Sequence, residues 1–388
     1  MKKEIPLSVP HLNMNILDNL KECIETGWVS TSGRFISEFE KKLADYVGTD
    51  DAVAVQNGAA GLHLALDILG VKAGDEVIVP ALTFVAAINP VSYIGAEPVF
   101  LDCGDGFCLD PDKLEKFCAI NCTLTEEGLI NNLTKKKIGA IIVVHVFGNM
   151  AHMERILKTA RKYGLKIIED ATEALGTYYK EGPYSGRFAG TMGDIGVYSF
   201  NANKIITSGG GGMMVSENKS YLDRARYLSA TAKDDDIYFI HNEVGYNYRM
   251  LNIQASFGVS QMDEIESFIA TKEKNYNLYK ELLGETEGVT LMPFNRQVRP
   301  NYWFYPVYVD KSKYGADRDT LMRKLIGEGV QCRPVWKLIN TQKPYLSARS
   351  VDIEKARDYE SNVLTVPCSV NLSAEQIKYV CDIIRDKQ

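Results

Sequence analysis

The chain has 388 residues, 45% of them hydrophobic, and a formal net charge of −6. That length admits two or three domains, or one large domain with a smaller appendage, around a sizeable core. The acidity argues against nucleic acid or an anionic membrane as main partner, and neither a signal peptide behind Met1-Lys2-Lys3 nor an apolar run of spanning length is seen, so a cytoplasmic chain is expected.

Residues 1–33 read as an irregular segment ending in the turn-rich Gly27-Trp28-Val29-Ser30-Thr31-Ser32-Gly33. Phe35, Ile36, Phe39, Leu43 and Tyr46 then recur at helical spacing. From residue 52, strands and helices alternate. Ala52 to Val55 is a strand, and Asn57-Gly58-Ala59 opens a helix that runs to Leu69. Gly74-Asp75 turns into a strand over Glu76 to Pro80, followed by a helix from Thr83 to Tyr93 and a strand from Pro98 to Asp102. Residues 103–137 carry one helical stretch around Leu114 to Cys118. A strongly apolar strand spans Ile138 to Val146. The helix Met153 to Tyr163 leads into a strand over Leu165 to Ile168, which ends in Glu169-Asp170. Ile195 to Phe200 and Met213 to Val215 are two further strands, with Lys204 and four glycines, Gly209 to Gly212, between them. Apolar strands alternating with helices predict a mostly parallel sheet covered on both faces.

After residue 215 the pattern turns helical over Tyr221 to Leu228 and Asn252 to Gln261. A long helix from Met262 to Leu283 leads into a smaller C-terminal part with strands at 289–292, 303–309 and 330–333, a helix at 318–328 and a last helix opened by the capping sequence Ser373-Ala374-Glu375-Gln376. The expected division is a large domain over residues 1–260 and a small α+β domain over 261–388. The eight cysteines form no C-x2-C pair, and no histidine lies among Cys103, Cys108, Cys118 and Cys122, so free thiols and no metal site are expected.

Ligands of such folds sit outside the carboxyl ends of the strands. Three of those ends carry chemistry. Asn57-Gly58-Ala59 offers a helix N-terminus that suits a phosphate, Asp170 offers a carboxylate, and Lys204 offers an amine that burial would keep neutral. Each has a plain alternative: a helix cap at Asn57, a turn carboxylate at Asp170, a surface lysine in a Gly-rich hairpin. Together they are what pyridoxal phosphate asks of a protein: a phosphate cradle, a partner for the ring nitrogen and a Schiff-base amine. A dinucleotide is disfavoured, because no G-x-G-x-x-G follows the first strand and no P-loop is present.

The ordered segments Gly27-Trp28-Val29-Ser30, Asn57-Gly58, Gly74-Asp75-Glu76-Val77-Ile78-Val79-Pro80, Thr83-Phe84, His145-Val146-Phe147-Gly148-Asn149, Glu169-Asp170-Ala171, Ser199-Phe200, Lys204 and Gly245-Tyr246-Asn247-Tyr248-Arg249 run through nearly the whole chain. In them the sequence resembles the DegT/DnrJ/StrS-type aminotransferases of sugar-nucleotide biosynthesis, a branch of the fold-type I pyridoxal phosphate enzymes. The resemblance implies an α/β large domain with a mostly parallel, seven-stranded type of sheet. It implies a Schiff base at Lys204, a pyridinium partner in Asp170, ring stacking by Phe84 and phosphate contacts from Gly58, Ala59 and Ser199. It places Glu173 near the ring hydroxyl, and has Asn247 reach the neighbouring subunit's cofactor in a homodimer. Two departures stand out. Ala59 lacks the hydroxyl of the family's usual threonine, and Glu173 puts a carboxylate where many relatives have Gln or His.

Asp170-Ala171-Thr172-Glu173, the run Gly209 to Gly212 and Pro367-Cys368-Ser369-Val370-Asn371-Leu372 look most like enzymes that aminate C4 of a UDP-linked 4-keto-6-deoxy-N-acetylhexosamine, with glutamate as donor. A GDP- or dTDP-linked keto-sugar, amination at C3, and a pyridoxal phosphate-binding protein without transaminase activity are the alternatives. Trp28, Ser30, Arg249, Arg333 and Lys337 are candidate nucleotide-sugar contacts, each weighed equally against a salt bridge or a packing role.

Overall fold

Seven strands from residues 52–215 build one sheet: β1 (Ala52–Val55), β2 (Glu76–Pro80), β3 (Glu97–Leu101), β4 (Ile138–Val144), β5 (Lys166–Asp170), β6 (Ile195–Ser199) and β7 (Gly212–Val215). In this computed structural model, which describes residues 4–235 and 237–386, they lie in the order β1-β7-β6-β5-β4-β2-β3, and a late strand, Arg349–Val351, adds itself in parallel beside β3. Only β7 runs against its neighbours; the other pairings are parallel. β1, β2 and β7 are buried along their whole length, as strands covered on both faces must be. Each fully buried Val, Leu or Ile contributes roughly 1.5–3 kcal/mol, and this apolar layer holds the strand ends in place.

The longer helices are α1 (Ile16–Thr26), α2 (Arg34–Val47), α3 (Gly58–Ile68), α4 (Pro111–Asn121), α5 (Met153–Tyr163), α6 (Lys219–Ser229), α7 (Asn252–Met262), α8 (Ile265–Leu283), α9 (Arg318–Gly327), α10 (Lys355–Asn362) and α11 (Ala374–Arg385). A second, wholly antiparallel sheet comprises β8 (Val289–Leu291), β9 (Tyr305–Val309), β10 (Arg333–Pro334) and β11 (Val363–Val366), in the order β8-β9-β11-β10. Ile5, near the start of the chain, bridges Val330 beside this small sheet.

Several expectations need correction. Residues 1–33 are not irregular throughout: α1 occupies Ile16–Thr26, where Ile16, Leu20, Cys23 and Ile24 recur at helical spacing although only Ile16 and Cys23 are buried. Met1-Lys2-Lys3 lie outside the described residues. The helix expected over Thr83 to Tyr93 is split into a 3-10 turn, Val85–Ala87, and a short helix, Asn89–Tyr93, with Pro90 in its first turn. A hairpin, Cys122–Thr125 with Gly128–Asn131, follows α4. The two helices expected over Asn252 to Gln261 and Met262 to Leu283 are present as α7 and α8, with the break between them at Asp263-Glu264.

One buried carboxylate joins the late part of the chain to the large sheet. Asp102, fully buried just past β3, accepts the Lys113 ammonium at 2.7 Å and the backbone N–H groups of Glu354, Lys355 and Ala356 at 2.8–2.9 Å. It thereby satisfies the orphan donors at the start of α10. Burial works against its charge, but the Lys113 and amide hydrogen bonds win and hold its carboxyl below the usual carboxylate range. Its contribution is therefore present above that range and lost as pH falls through the lowered value. Asp102→Asn keeps one acceptor oxygen, turns an NH2 donor toward the remaining donors and removes the charge that holds Lys113, and should cost about 3 kcal/mol in urea unfolding. A loss under a few tenths would show that α10 docks without it.

Candidate active site

The parallel strands point their carboxyl ends to one edge of the sheet. There Asn57, Asp170, Ser199 and Lys204 meet in one cavity of about 780 Å³. Asn57, the residue before α3, is extended, and its Oδ1 accepts the Ala60 N–H at 2.8 Å. That cap leaves the first amides of α3, at Gly58 and Ala59, facing the cavity with the positive end of the helix dipole. A Cβ on Gly58 would come within 2.8 Å of the Thr172 methyl and 3.3 Å of the Ser199 Cβ, so a side chain there would fill the cradle. The glycine run after Lys204 answers a different need. A Cβ on Gly212 would lie 2.7 Å from the Asn57 carbonyl carbon, so β7 can lie against the start of α3 only as glycine.

Lys204 follows a turn closed by its own N–H to the Asn201 carbonyl at 3.0 Å. Its Nζ lies 4.1 Å from the centre of the Trp303 ring and 3.8 Å from Glu173 Oε1. The indole is fixed in turn by its Nε1–H, which donates to the Asn203 carbonyl at 2.6 Å. Burial lowers the lysine's affinity for a proton, against the opposing pull of Glu173 and Asp170. Glu173 is 4% exposed, and its Oε2 accepts the Phe147 N–H at 2.8 Å. Burial pushes its carboxyl up to about 7. Both directions favour a neutral amine beside a neutral acid. Asp170, 2% exposed at the end of β5, accepts the Thr172 N–H at 3.0 Å, and burial raises it too.

Phe84 lines the same cavity, half exposed, with its ring 6.3 Å from that of Trp336. Arg333 and Lys337 line the wall contributed by the late part of the chain. The other expected substrate residues are not in the cavity. Arg249 is engaged by Glu40 at 2.8 Å and the Ala54 carbonyl at 3.2 Å, so it serves as a packing ion pair. Trp28 and Ser30 are exposed outside the cavity; the carbonyl of Trp28 accepts the Asn252 amide and that of Ser30 the Asn252 N–H. Asn247 is exposed and bridges Ala230. Sequence reasoning missed Trp303, Trp336 and the Phe147 amide. Phe147 sits at φ 59°, an uncommon value for a bulky side chain. No local pattern marks any of the three, because each reaches the site by long-range packing.

The family model described as "DegT/DnrJ/EryC1/StrS aminotransferase family" matches residues 10–385. The chain belongs to this family. It is 36% identical to EpsN of Bacillus subtilis (strain 168) over 343 residues, 88% of this chain and 84% of EpsN. It is 35% identical to the GDP-perosamine synthase of Caulobacter vibrioides over 378 residues, 97% of this chain and 96% of that one. The crystal structure of the aminotransferase TlmJ from Streptoalloteichus hindustanus superposes with a TM-score of 0.87 at 26% identity, covering 99% of both chains. The DegT/DnrJ/EryC1/StrS chain described here is thus a pyridoxal phosphate-dependent aminotransferase of fold type I.

The residues present fit that cofactor. The α3 amides and Ser199 can take its phosphate, Phe84 can cover its ring, and Lys204 can hold its aldehyde. Among the described residues Asp170 accepts from the Thr172 N–H and hydroxyl and has no ion-paired cation, so a protonated ring nitrogen would supply a charged partner. Glu173→Gln removes the carboxylate that favours the Lys204 cation. The pH at which cofactor-free protein takes up pyridoxal phosphate, followed by visible absorbance, should fall by roughly one unit. An unchanged midpoint would show that the pair is not coupled.

Proposed function

We propose that this DegT/DnrJ/EryC1/StrS aminotransferase moves an amino group from L-glutamate to the C4 keto carbon of a GDP-linked 4-keto-6-deoxy sugar. The observation that carries the amino-transfer part is the Lys204 amine, buried between Trp303 and Glu173 in the cavity that also holds Asp170 and the α3 N-terminus. Support for guanosine comes from the Caulobacter vibrioides relative, a GDP-perosamine synthase matched along 97% of this chain. The expected UDP-linked N-acetylhexosamine loses ground. Two of the three segments that suggested it have structural accounts of their own. Gly212 packs on Asn57, and the Cys368 carbonyl accepts the buried Lys272 ammonium.

Bound pyridoxal phosphate supplies an aldehyde and an electron sink, so that an amino group can leave one carbon and later join another. The protein does the rest. Lys204 Nζ, unprotonated because it is desolvated, takes the proton from the donor's Cα and later returns one to the sugar's C4. Asp170 keeps the ring nitrogen protonated, the α3 amides and Ser199 fix the phosphate, and Glu173 donates a hydrogen bond while neutral. The walls from residues 1–260 and 261–388 enclose these steps. Asn247 lies away from the cavity, paired with Ala230 at the base of the segment that carries the exposed apolar side chains of Ile237, Tyr238, Phe239 and Val244. A homodimer that covers these side chains and hands Asn247 to the neighbouring site accounts for both.

Protein loaded with pyridoxal phosphate should show a visible band that glutamate bleaches and a GDP-linked 4-keto-6-deoxy sugar restores, and it should sediment as a dimer. Lys204→Ala should lose the bleaching step altogether. Restoration by the UDP-linked sugar and not the GDP-linked one would reverse the nucleotide assignment, and bleaching in Lys204→Ala would remove the lysine from its role.

A further inference from the structure

In a two-stage transfer one cavity must accept two unlike anions in turn. A dicarboxylate amino acid enters first, and a nucleotide diphosphate sugar follows after the oxo acid has left. In glutamate the side-chain carboxyl carbon lies three bonds from the carbon that gives up the amine. In a 4-keto sugar the first phosphate lies just across the ring from the carbon that receives it. Both anions therefore ride a short reach beyond the reacting carbon, and a single cation on the cavity wall can meet either.

Among the described residues four cations line the cavity, and three have roles or partners of their own. Lys204 is the reacting amine. Arg318 is buried, with its Nε on Asp319 at 2.7 Å and its Nη1 on the Val363 carbonyl at 2.8 Å. Lys337 pairs with Glu360 at 3.3 Å, and Glu360 also accepts the Leu338 N–H. Arg333 differs from all three. Among the described residues it has no carboxylate partner, and its guanidinium donates only to the carbonyl of the preceding residue, Cys332, at 2.8 Å. Its backbone is held in β10, paired with Thr365 of β11, whose hydroxyl donates to the Arg333 carbonyl at 3.3 Å. The stem is therefore anchored and the exposed fork is left to the cavity. A planar guanidinium binds carboxylate and phosphate oxygens with the same two-pronged geometry, which an ammonium does not.

We infer that Arg333 is the shared anion-holding residue of this site, taking the side-chain carboxylate of the amino donor in the first stage and the diphosphate of the sugar nucleotide in the second. The inference rests on the amino-transfer reading above. It names the residue that lets one cavity serve both substrates, and it separates Arg333 from Lys337 and Arg249, which the sequence alone left level with it.

The test uses cofactor-loaded protein and three variants, Arg333→Met, Arg333→Lys and Lys337→Met. Binding of GDP and of inorganic pyrophosphate is measured by calorimetry, and the glutamate and alanine half-reactions by loss of the visible band. Arg333→Met should keep its cofactor spectrum. It should bind GDP and pyrophosphate about 10- to 100-fold more weakly, as expected for losing a charge-assisted hydrogen-bonded pair. Its KM for glutamate should rise by a similar factor while alanine, which lacks the distal carboxylate, is unaffected. Arg333→Lys should recover only part of the loss, and Lys337→Met should lose far less than Arg333→Met. Unchanged pyrophosphate affinity in Arg333→Met, or equal losses on glutamate and alanine, would overturn the inference. If wild-type protein binds pyrophosphate through Arg333 yet glutamate leaves its spectrum unchanged, the anion site stands and the amino-transfer reading falls.

Discussion

A lysine largely withdrawn from water organises this molecule. The Lys204 amine is enclosed between the Trp303 ring and Glu173, and no ionised partner fully repays the loss of water. A surface lysine would carry a proton at neutral pH and could neither form a Schiff base nor accept a proton from carbon. Burial solves that problem and creates another, because a buried amine must be aimed. The aim comes from the Asn201 turn on its backbone and from the Trp303 indole, itself tied to Asn203. Behind the indole, the Trp303 carbonyl accepts a second lysine, the buried Lys272, at 3.1 Å.

The sheet serves this constraint. Placing β7 antiparallel between β1 and β6 puts the Asn57 cradle and the Lys204 loop at the same edge, with Asp170 arriving one strand further along. Gly212 is the consequence at residue level, since the strand returning from Lys204 passes against the Asn57 carbonyl. Residues from the late part of the chain then wall the cavity, and Asp102 fastens the start of α10 to the end of β3. The site is thus built from segments far apart in sequence, from Leu7 to Thr365.

Much of this was legible in the order of residues. Unbroken apolar runs such as Ile138 to Val144 can hardly be anything but covered strands, and chemistry at their ends then singles out Asn57, Asp170 and Lys204. What escaped was either short or non-local. Arg349–Val351 is a three-residue edge strand with no period to detect, and Val363–Val366 follows α10 without a turn signal. α1 does carry a stripe, Ile16, Leu20, Cys23 and Ile24, but it is a short one of which only Ile16 and Cys23 are buried. Trp303 and Phe147 look like ordinary core residues until packing brings one over Lys204 and the other's amide onto Glu173. The charged candidates could not be ranked by sequence at all, because Arg249 and Arg333 differ in what folding places beside them: Glu40 in one case and, among the described residues, no carboxylate in the other.

Among the described residues Lys204 is largely withdrawn from water and Lys272 is buried, and desolvation disfavours the charge on both. The account requires that only the first meets the cofactor. Lys272 is turned to the carbonyls of Trp303 and Cys368 and contributes nothing to the main cavity. The most direct measurement is borohydride reduction of the cofactor-loaded protein, followed by peptide mass spectrometry. The account predicts a pyridoxyl mass on the peptide containing Lys204 and none on that containing Lys272. Label on Lys272, or spread over surface lysines with Lys204 unmodified, would contradict it.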